Sequence, residues 1–403
     1  MEISKKMREQ LGGSSVIRRL FEEGRQLAAL YGEETVYDFS LGNPYPPAPP
    51  QVAESIRRRL NSSDSRTLHG YMPNAGYPFV REAVAASLRK RFAVPYTKEH
   101  ILMTVGAAGA INLLCATLLD PGDEAVCFAP YFGEYRNYVH HQGAKLVVVP
   151  ADLDHLELPV AGLAACVNER TKMIIINNPN NPSGIVYSKE SYRALSVEVK
   201  RLEGLIGHEL AIVFDEPYRE LVYDEVEVPY GAHFFANSIS CYSFSKSLSL
   251  PGERIGYLAL SPGISRAQEL MAALTVANRT LGFVNAPSLM QQVIVDCLDL
   301  PVDTSLYDAN RRLLYEELTR LGFSCLKPQG AFYMMIRSPL GDGAAFAEAA
   351  KRHHILLVDT AGFGAPGYVR LAYCVSPEMV QRSLPAFAAL AAEIFGMEQT
   401  RSI

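Results

Sequence analysis

Long apolar runs are missing from this 403-residue chain; none approaches the roughly 20 residues that a membrane-spanning helix needs. A basic patch is missing too: 38 Lys and Arg stand against 43 Asp and Glu, and a net charge of -5 argues against a nucleic-acid footprint. The seven cysteines, at 115, 127, 166, 241, 297, 325 and 374, form no Cys-x-x-Cys pair. They read as small buried hydrophobes of a reducing compartment. Histidine is sparse, and the adjacent pairs His140-His141 and His353-His354 point apart on helix or strand, so no protein-ligated metal is expected. Linker tracts, internal repeats and low-complexity segments are also lacking. The start, Met1 to Glu9, is too charged for a signal peptide, and the expectation is a cytoplasmic protein.

What is present is the composition of an ordinary globular enzyme, 48% hydrophobic and 20% charged. The length exceeds what one core usually organises, so two domains are expected. Mid-chain, runs of strand length at 101–104, 125–128, 145–149, 173–177, 211–214, 239–244 and 257–260 alternate with helical patterns such as 107–119 and 189–203. This predicts an α/β domain around a largely parallel sheet buried on both faces and flanked by helices. Towards the N-terminus, an amphipathic helix over 15–31 is expected to place Val16, Leu20, Leu27 and Leu30 near one face. After about Asp303, a helix carrying Tyr307, Leu314, Leu318 and Leu321 leads to strands at 332–336, 355–358 and 368–372. The division expected is a large domain over 46–295 and a smaller α+β domain built from both chain ends, 1–45 and 296–403.

The chemistry-bearing residues fall at the ends of the mid-chain strands. Ser243-Phe244-Ser245-Lys246 follows a short apolar strand, and Arg254 lies eight residues beyond the lysine, placed to reach back to a phosphate. A lysine and arginine so arranged suit an enzyme that holds pyridoxal phosphate as a Schiff base. That cofactor's ring takes up electrons when its nitrogen is protonated, which calls for a carboxylate beneath it. Asp215 ends the apolar run Ala211-Ile212-Val213-Phe214, and its charge favours the protonated ring. Tyr218, three residues on, is placed to hydrogen-bond the ring's phenolic oxygen. Upstream, the strand Ile174-Ile175-Ile176 runs into Asn177-Asn178-Pro179-Asn180-Asn181-Pro182-Ser183-Gly184, which by composition alone is also a plain turn.

The Asn-Pro-Ser-Gly element, Asp215-x-x-Tyr218 and Ser243-x-x-Lys246, in that order and spacing, resemble the class I and II aminotransferases of the aspartate aminotransferase-like, fold-type I pyridoxal phosphate family. The resemblance extends over nearly the whole chain. It implies that Lys246 is the Schiff-base lysine, Asp215 the ring-nitrogen acid and Tyr218 the tyrosine at the phenolic oxygen. It implies that Asn181 contacts that oxygen and helps orient the substrate carboxylate. Ser243 and Arg254 match the phosphate ligands, joined by the turn Gly106-Ala107-Ala108 at a helix start. Where relatives carry a hydroxyl, Ala107 and Ala108 leave main-chain donors alone. Phe132 matches the aromatic stacked on the pyridine, with Tyr131 as second choice. Arg370 and Gly42 match the arginine and glycine at the substrate α-carboxylate. Tyr71 resembles the tyrosine that reaches a neighbouring subunit's cofactor, which implies a homodimer.

The reaction implied is ping-pong transamination between an L-amino acid and a 2-oxo acid, with Lys246 as general base through an internal aldimine on pyridoxal 5′-phosphate. The alternative is β-elimination, as in carbon-sulfur lyases, because it begins with the same α-carbanion. A cofactor-binding regulatory module is set aside because the site motifs begin by Gly42. Side-chain specificity stays open: Arg279 and Arg136 are candidate cations for a distal carboxylate, and Tyr45 for the substrate entrance.

Overall fold

In a computed structural model, residues 1–12, 16–62, 64–153 and 157–396 are described. In chain order the strands are β1 (Tyr37–Asp38), β2 (Ile101–Thr104), β3 (Glu124–Phe128), β4 (Lys145–Val149), β5 (Thr171–Asn177), β6 (Ala211–Asp215), β7 (Ser238–Ser243) and β8 (Gly256–Leu260). They continue with β9 (Tyr333–Arg337), β10 (Ile355–Leu356), β11 (Val358–Asp359) and β12 (Tyr368–Ala372). The seven strands from β2 to β8 form one sheet in the order β2-β8-β7-β6-β5-β3-β4. Only β8 runs against its neighbours, so the mostly parallel sheet expected from the alternating pattern is observed.

The near-continuous apolar runs of these strands follow from burial on both faces. Ala125, Cys127, Met173, Ile175, Val213 and Cys241 pack against helix Gly106–Leu118 on one side. Their alternates Val126, Phe128, Ile174, Ile176, Ile212 and Phe214 pack with Tyr192, Leu195 and Val199 of helix Lys189–Ile206 on the other. Period-two alternation therefore holds, but both positions are apolar because neither faces water.

A second core gathers around the three-stranded antiparallel sheet β11-β12-β9. It takes Tyr307, Leu314 and Leu318 from helix Ser305–Arg320 and Val380, Phe387 and Leu390 from helix Pro377–Phe395. The N-terminal part of the chain joins it through β1, which pairs in parallel with β10, and through buried Phe39. Tyr218, Leu221 and Tyr223 also pack into this core, so the segment after β6 ties the two cores together.

Some boundaries differ from expectation. The run 355–358 is two strands: β10 pairs with β1, whereas β11 pairs with β12 in another sheet. The run 239–244 stops at Ser243, because Phe244 begins a one-turn helix that Ser243 caps by accepting from the Ser245 N–H. At the N-terminus the helix is Val16–Tyr31; Ser15 and the Val16 side chain lie outside the described residues, Leu20 and Leu27 are half-buried, and Leu30 is exposed. The expected face thus ends before Leu30.

Candidate active site

The strands β2, β5, β6 and β7 run the same way, so their C-terminal residues meet at one edge of the sheet. Asn177 is in register with Asp215, Asp215 with Cys241, and Ser243 and Thr104 both flank Gly256. Open α/β sheets present ligand-binding groups at this edge. A cavity of about 300 Å³ opens there, lined by Lys246, Asp215, Arg254, Arg370 and Asn181 among others.

Lys246 projects from the one-turn helix Phe244–Ser247 and donates from Nζ to the Gly42 carbonyl at 2.7 Å. Its Nζ lies 5.1 Å from the Phe332 ring centroid and 5.8 Å from that of Tyr218. Although the residue as a whole is only half-buried, its ammonium is desolvated among these rings, and burial lowers its pKa to about 8. A sizeable neutral fraction of the amine therefore exists near neutral pH.

Asp215 is buried at the end of β6. Its Oδ2 accepts a short hydrogen bond from the Tyr135 hydroxyl and a longer one, 3.4 Å, from Asn177 Nδ2. Its Oδ1 has no partner in the chain. Burial pushes the carboxyl up to about 7; Glu216 adds to this and the Tyr135 bond opposes it. A buried acceptor without a donor is costly unless a ligand supplies one.

Tyr218 is buried, and its hydroxyl meets that of Tyr333 at 3.0 Å. Burial pushes its pKa well up, which keeps the phenol neutral. The Asn-rich loop after β5 is not an exposed turn. Its asparagines are buried and bonded inward: Asn181 N–H donates to Asn177 Oδ1 at 2.7 Å, and Asn180 Nδ2 donates to the Pro130 carbonyl at 2.9 Å. These amides substitute for backbone partners where no strand or helix continues.

Arg370, only 1% exposed, donates from Nη1 to Asn181 Oδ1 at 3.0 Å and from Nη2 to the Ser40 carbonyl at 2.6 Å. Its guanidinium carbon lies 4.5 Å from the Tyr333 ring centroid, and its Nε has no partner. Arg370 and Tyr333 are diagonal neighbours across β12 and β9, since Arg370 pairs with Met335 and Ala372 with Tyr333. Gly42 has no left-handed backbone; what requires glycine there is proximity, because a Cβ would fall 1.9 Å from the Tyr333 hydroxyl oxygen.

At the opposite end, helix Gly106–Leu118 starts without a side-chain cap, leaving its first N–H groups free of one. Ser243 Oγ contacts Ser245 Oγ at 2.7 Å. Arg254 donates from Nη1 to the Pro251 carbonyl and from Nη2 to the Val105 carbonyl, at 3.0 and 3.1 Å. A Cβ on Gly106, whose φ is +80°, would fall 3.1 Å from Arg254 Nη2 and 3.4 Å from Ser243 Oγ, inside this cradle. Hydroxyls, a guanidinium and a helix N-terminus converging on a space cleared by glycine suit a phosphate.

The family model for aminotransferases of class I and II matches residues 34–387. The chain belongs to the class I and II aminotransferases. A probable aspartate/prephenate aminotransferase of Thermus aquaticus is 30% identical over 381 residues, covering 92% of each chain. The crystal structure of an aminotransferase from Eubacterium rectale is 44% identical, with a TM-score of 0.94 over 98% of this chain and 99% of that one. The aspartate aminotransferase of Thermus thermophilus with maleate shows 26% identity and a TM-score of 0.85, over 97% of this chain and all of that one. The family is pyridoxal 5′-phosphate-dependent, and the lyase alternative is not favoured by these relatives.

The donor set of this aminotransferase fits that cofactor. The Asp215 Oδ1 lacks a donor, the cavity reaches Ala107, Ala108, Ser243, Ser245 and Arg254, groups that suit a phosphate, and the Lys246 side chain lines the same cavity. Phe132 lines the cavity and makes an edge-to-face pair with Tyr135, the ring centroids 5.7 Å apart. Tyr131, the second choice, is buried, accepts from Arg136 and does not line the cavity. Arg136 and Arg279 are exposed and outside the lining, as is Tyr45. Tyr71 is 95% exposed and also outside this chain's cavity. Sequence reasoning missed Tyr135, Asn177, Ser245 and Tyr333. Asn177 and Ser245 were within reach, adjoining motifs already recognised, whereas nothing local marks Tyr135 or Tyr333. Among the described residues no His, Cys, Asp and Glu cluster suits a metal, and no helix is long and apolar enough to cross a membrane.

Proposed function

We propose that this aminotransferase moves the amino group of an L-amino acid to a 2-oxo acid in two half-reactions within one cavity, with pyridoxal 5′-phosphate bound to Lys246. The observation that carries this reading is the alignment in one cavity of a desolvated lysine, the unpartnered Asp215 Oδ1 and the unpartnered Nε of Arg370. When bound, the cofactor supplies an electron-withdrawing ring that stabilises negative charge at the substrate α-carbon.

The chain's own residues supply the rest. Asp215 would hold a proton on the ring nitrogen, and that new partner would keep its carboxyl ionised despite burial. Tyr218 and Asn181 would serve the phenolic oxygen, and Phe132 would pack against the ring. Ser243, Ser245, Arg254 and the N–H groups from Gly106 to Ala108 would take the phosphate, so hydroxyls at and just beyond the end of β7 would accompany the main-chain donors of the Gly-Ala-Ala turn. Arg370, with Asn181 and the Gly42 backbone, takes the substrate α-carboxylate in a planar, two-point pairing. Lys246, once free, would act as a neutral base on the substrate α-proton, its lowered pKa making that form accessible near neutral pH.

The reading includes a cytoplasmic homodimer in which the exposed Tyr71 enters the second copy's phosphate cradle. It also includes the division into a large unit, 46–295, and a small one, 1–45 with 296–403, meeting at the cavity. The test is a visible absorbance titration of the cofactor-loaded protein with single L-amino acids and no 2-oxo acid. Stoichiometric bleaching with an equal yield of 2-oxo acid, reversed by pyruvate or 2-oxoglutarate, is expected. Continuous release of 2-oxo acid and ammonia with the absorbance maintained would show elimination instead.

A further inference from the structure

Tyr333 touches groups at both ends of the cavity that it lines. It opens β9 and is buried, in antiparallel register with Ala372. Its hydroxyl meets that of Tyr218 at 3.0 Å, and the Arg370 guanidinium carbon lies over its ring, 4.5 Å from the centroid. Gly42, whose carbonyl accepts from Lys246 Nζ, comes so close that a side chain there would strike the Tyr333 hydroxyl. The proposed function gives Tyr333 no task.

The chemistry of the two phenols fixes which of them donates once the site is filled. A tyrosine hydroxyl has one proton to give. In the proposed function Tyr218 gives its proton to the cofactor's phenolic oxygen, which when ionised can only accept. The 3.0 Å bond then runs in one direction, from the Tyr333 O–H to the Tyr218 oxygen. Tyr333 is suited to that part. Burial pushes its pKa up to about 12, so it keeps its proton through the neutral range, while the Arg370 charge beside its ring opposes the rise and favours donation. A hydroxyl that accepts a bond becomes the stronger donor, because the incoming bond polarises its own O–H.

We infer that Tyr333 is a positioning residue whose hydroxyl donates to Tyr218 and so strengthens the bond that Tyr218 makes to the phenolic oxygen of the cofactor. The inference rests on the transaminase reading, in which the cofactor is joined to Lys246.

The readout is the pH titration of the visible band of the protein loaded with pyridoxal phosphate, in the absence of substrate. That band follows a proton held between the Lys246 nitrogen and the phenolic oxygen. The proton and Tyr218 serve the same oxygen, so weakening Tyr218 as a donor makes the proton bind more tightly. Tyr333→Phe keeps the ring and removes the hydroxyl alone. It is expected to raise the titration midpoint by about half a pH unit, a threefold gain in proton affinity on the order of what one weakened hydrogen bond produces. Tyr218→Phe, which removes the direct donor, is expected to raise it further. In the Tyr218→Phe protein, adding Tyr333→Phe is expected to change nothing, because the route to the cofactor is gone.

An unmoved or lowered midpoint in Tyr333→Phe, or a band that does not titrate, would overturn the inference while leaving the Lys246 linkage intact. The same shift with and without the Tyr218 hydroxyl would also overturn it, since Tyr333 would then act by another route. No visible band in the unsubstituted protein after addition of pyridoxal phosphate would overturn the transaminase reading and the inference together.

Discussion

The two ends of the cavity are built in different ways. At the lysine end, the groups sit on the aligned termini of neighbouring strands: Asn177, Asp215 and Ser243 each end a strand, and Lys246 follows three residues later. At the arginine end, Arg370 on β12 bonds Asn181, 189 residues away in sequence, while Lys246 reaches Gly42 across 204 residues. One end is therefore a product of strand termini in a rigid sheet. The other is a meeting of segments from both cores, held by a few long-range bonds. The difference teaches that the groups of the first end are placed by local register, and those of the second by how the two cores pack together; in the proposed reading the first does the chemistry and the second binds substrate.

The sharpest way to break this comparison is to remove the lysine. Lys246→Ala is expected to abolish covalent capture of pyridoxal phosphate and to lower turnover by about 10³-fold or more; full activity in the variant would remove the central assignment. Next in size is Asp215→Asn, which takes away the charge opposite the ring nitrogen. It is expected to lower kcat by about 10²- to 10³-fold with KM little changed.

Arg370→Lys tests the other end. Loss of the planar fork is expected to raise KM for the amino acid about 10- to 100-fold while kcat falls less. If steady-state kinetics show the reverse split, kcat falling at constant KM, the two ends do not divide the labour as described.

The pH dependence sharpens the lysine end. The nucleophilic form of Lys246 is the neutral amine, and burial lowers its pKa to about 8. Capture of pyridoxal phosphate by the apoprotein should therefore speed up as pH rises, levelling off just above pH 8 instead of climbing towards the value near 10.4 of an ordinary lysine. Stopped-flow absorbance across pH 6 to 10, about five points, reads this directly. The smallest expected effect is that of Tyr135→Phe. Removing the donor to Asp215 Oδ2 leaves burial less opposed, so in the cofactor-free protein the carboxyl's pKa rises above about 7 and less carboxylate is present at neutral pH. Affinity of the apoprotein for pyridoxal phosphate at pH 7 should fall about 10-fold and recover as pH is raised; a uniform loss at every pH would mean that Tyr135 serves packing alone.

How legible all this was in the sequence follows the same division. The strand termini were readable because an apolar run that ends in Asp215, or in Ser243 with Lys246 beyond it, announces both the strand and the group it presents. The Asn-rich loop was readable as a motif, though not as buried, since composition cannot tell an amide bonded inward from one facing water. Arg370 could be placed only through resemblance to a family, because a single arginine on a strand reads as a rim residue. Tyr333 and Tyr135 went unnoticed. Tyr333 lies in an apolar run and Tyr135 between Glu134 and Arg136, and only the partner of each hydroxyl, Tyr218 or Asp215, gives it a place in the site. Leu30 failed because the face that helix Val16–Tyr31 buries is set by what lies against it.

Sequence alone determined the mostly parallel sheet, the order of its motifs and which residues stand at its strand ends, because strand period and strand termini are local properties of the chain. Tertiary structure decided which cations enter the cavity, why Gly42 must be glycine and where Asp215 keeps an unpartnered oxygen. These depend on distances between segments hundreds of residues apart, and packing of the two cores sets those distances.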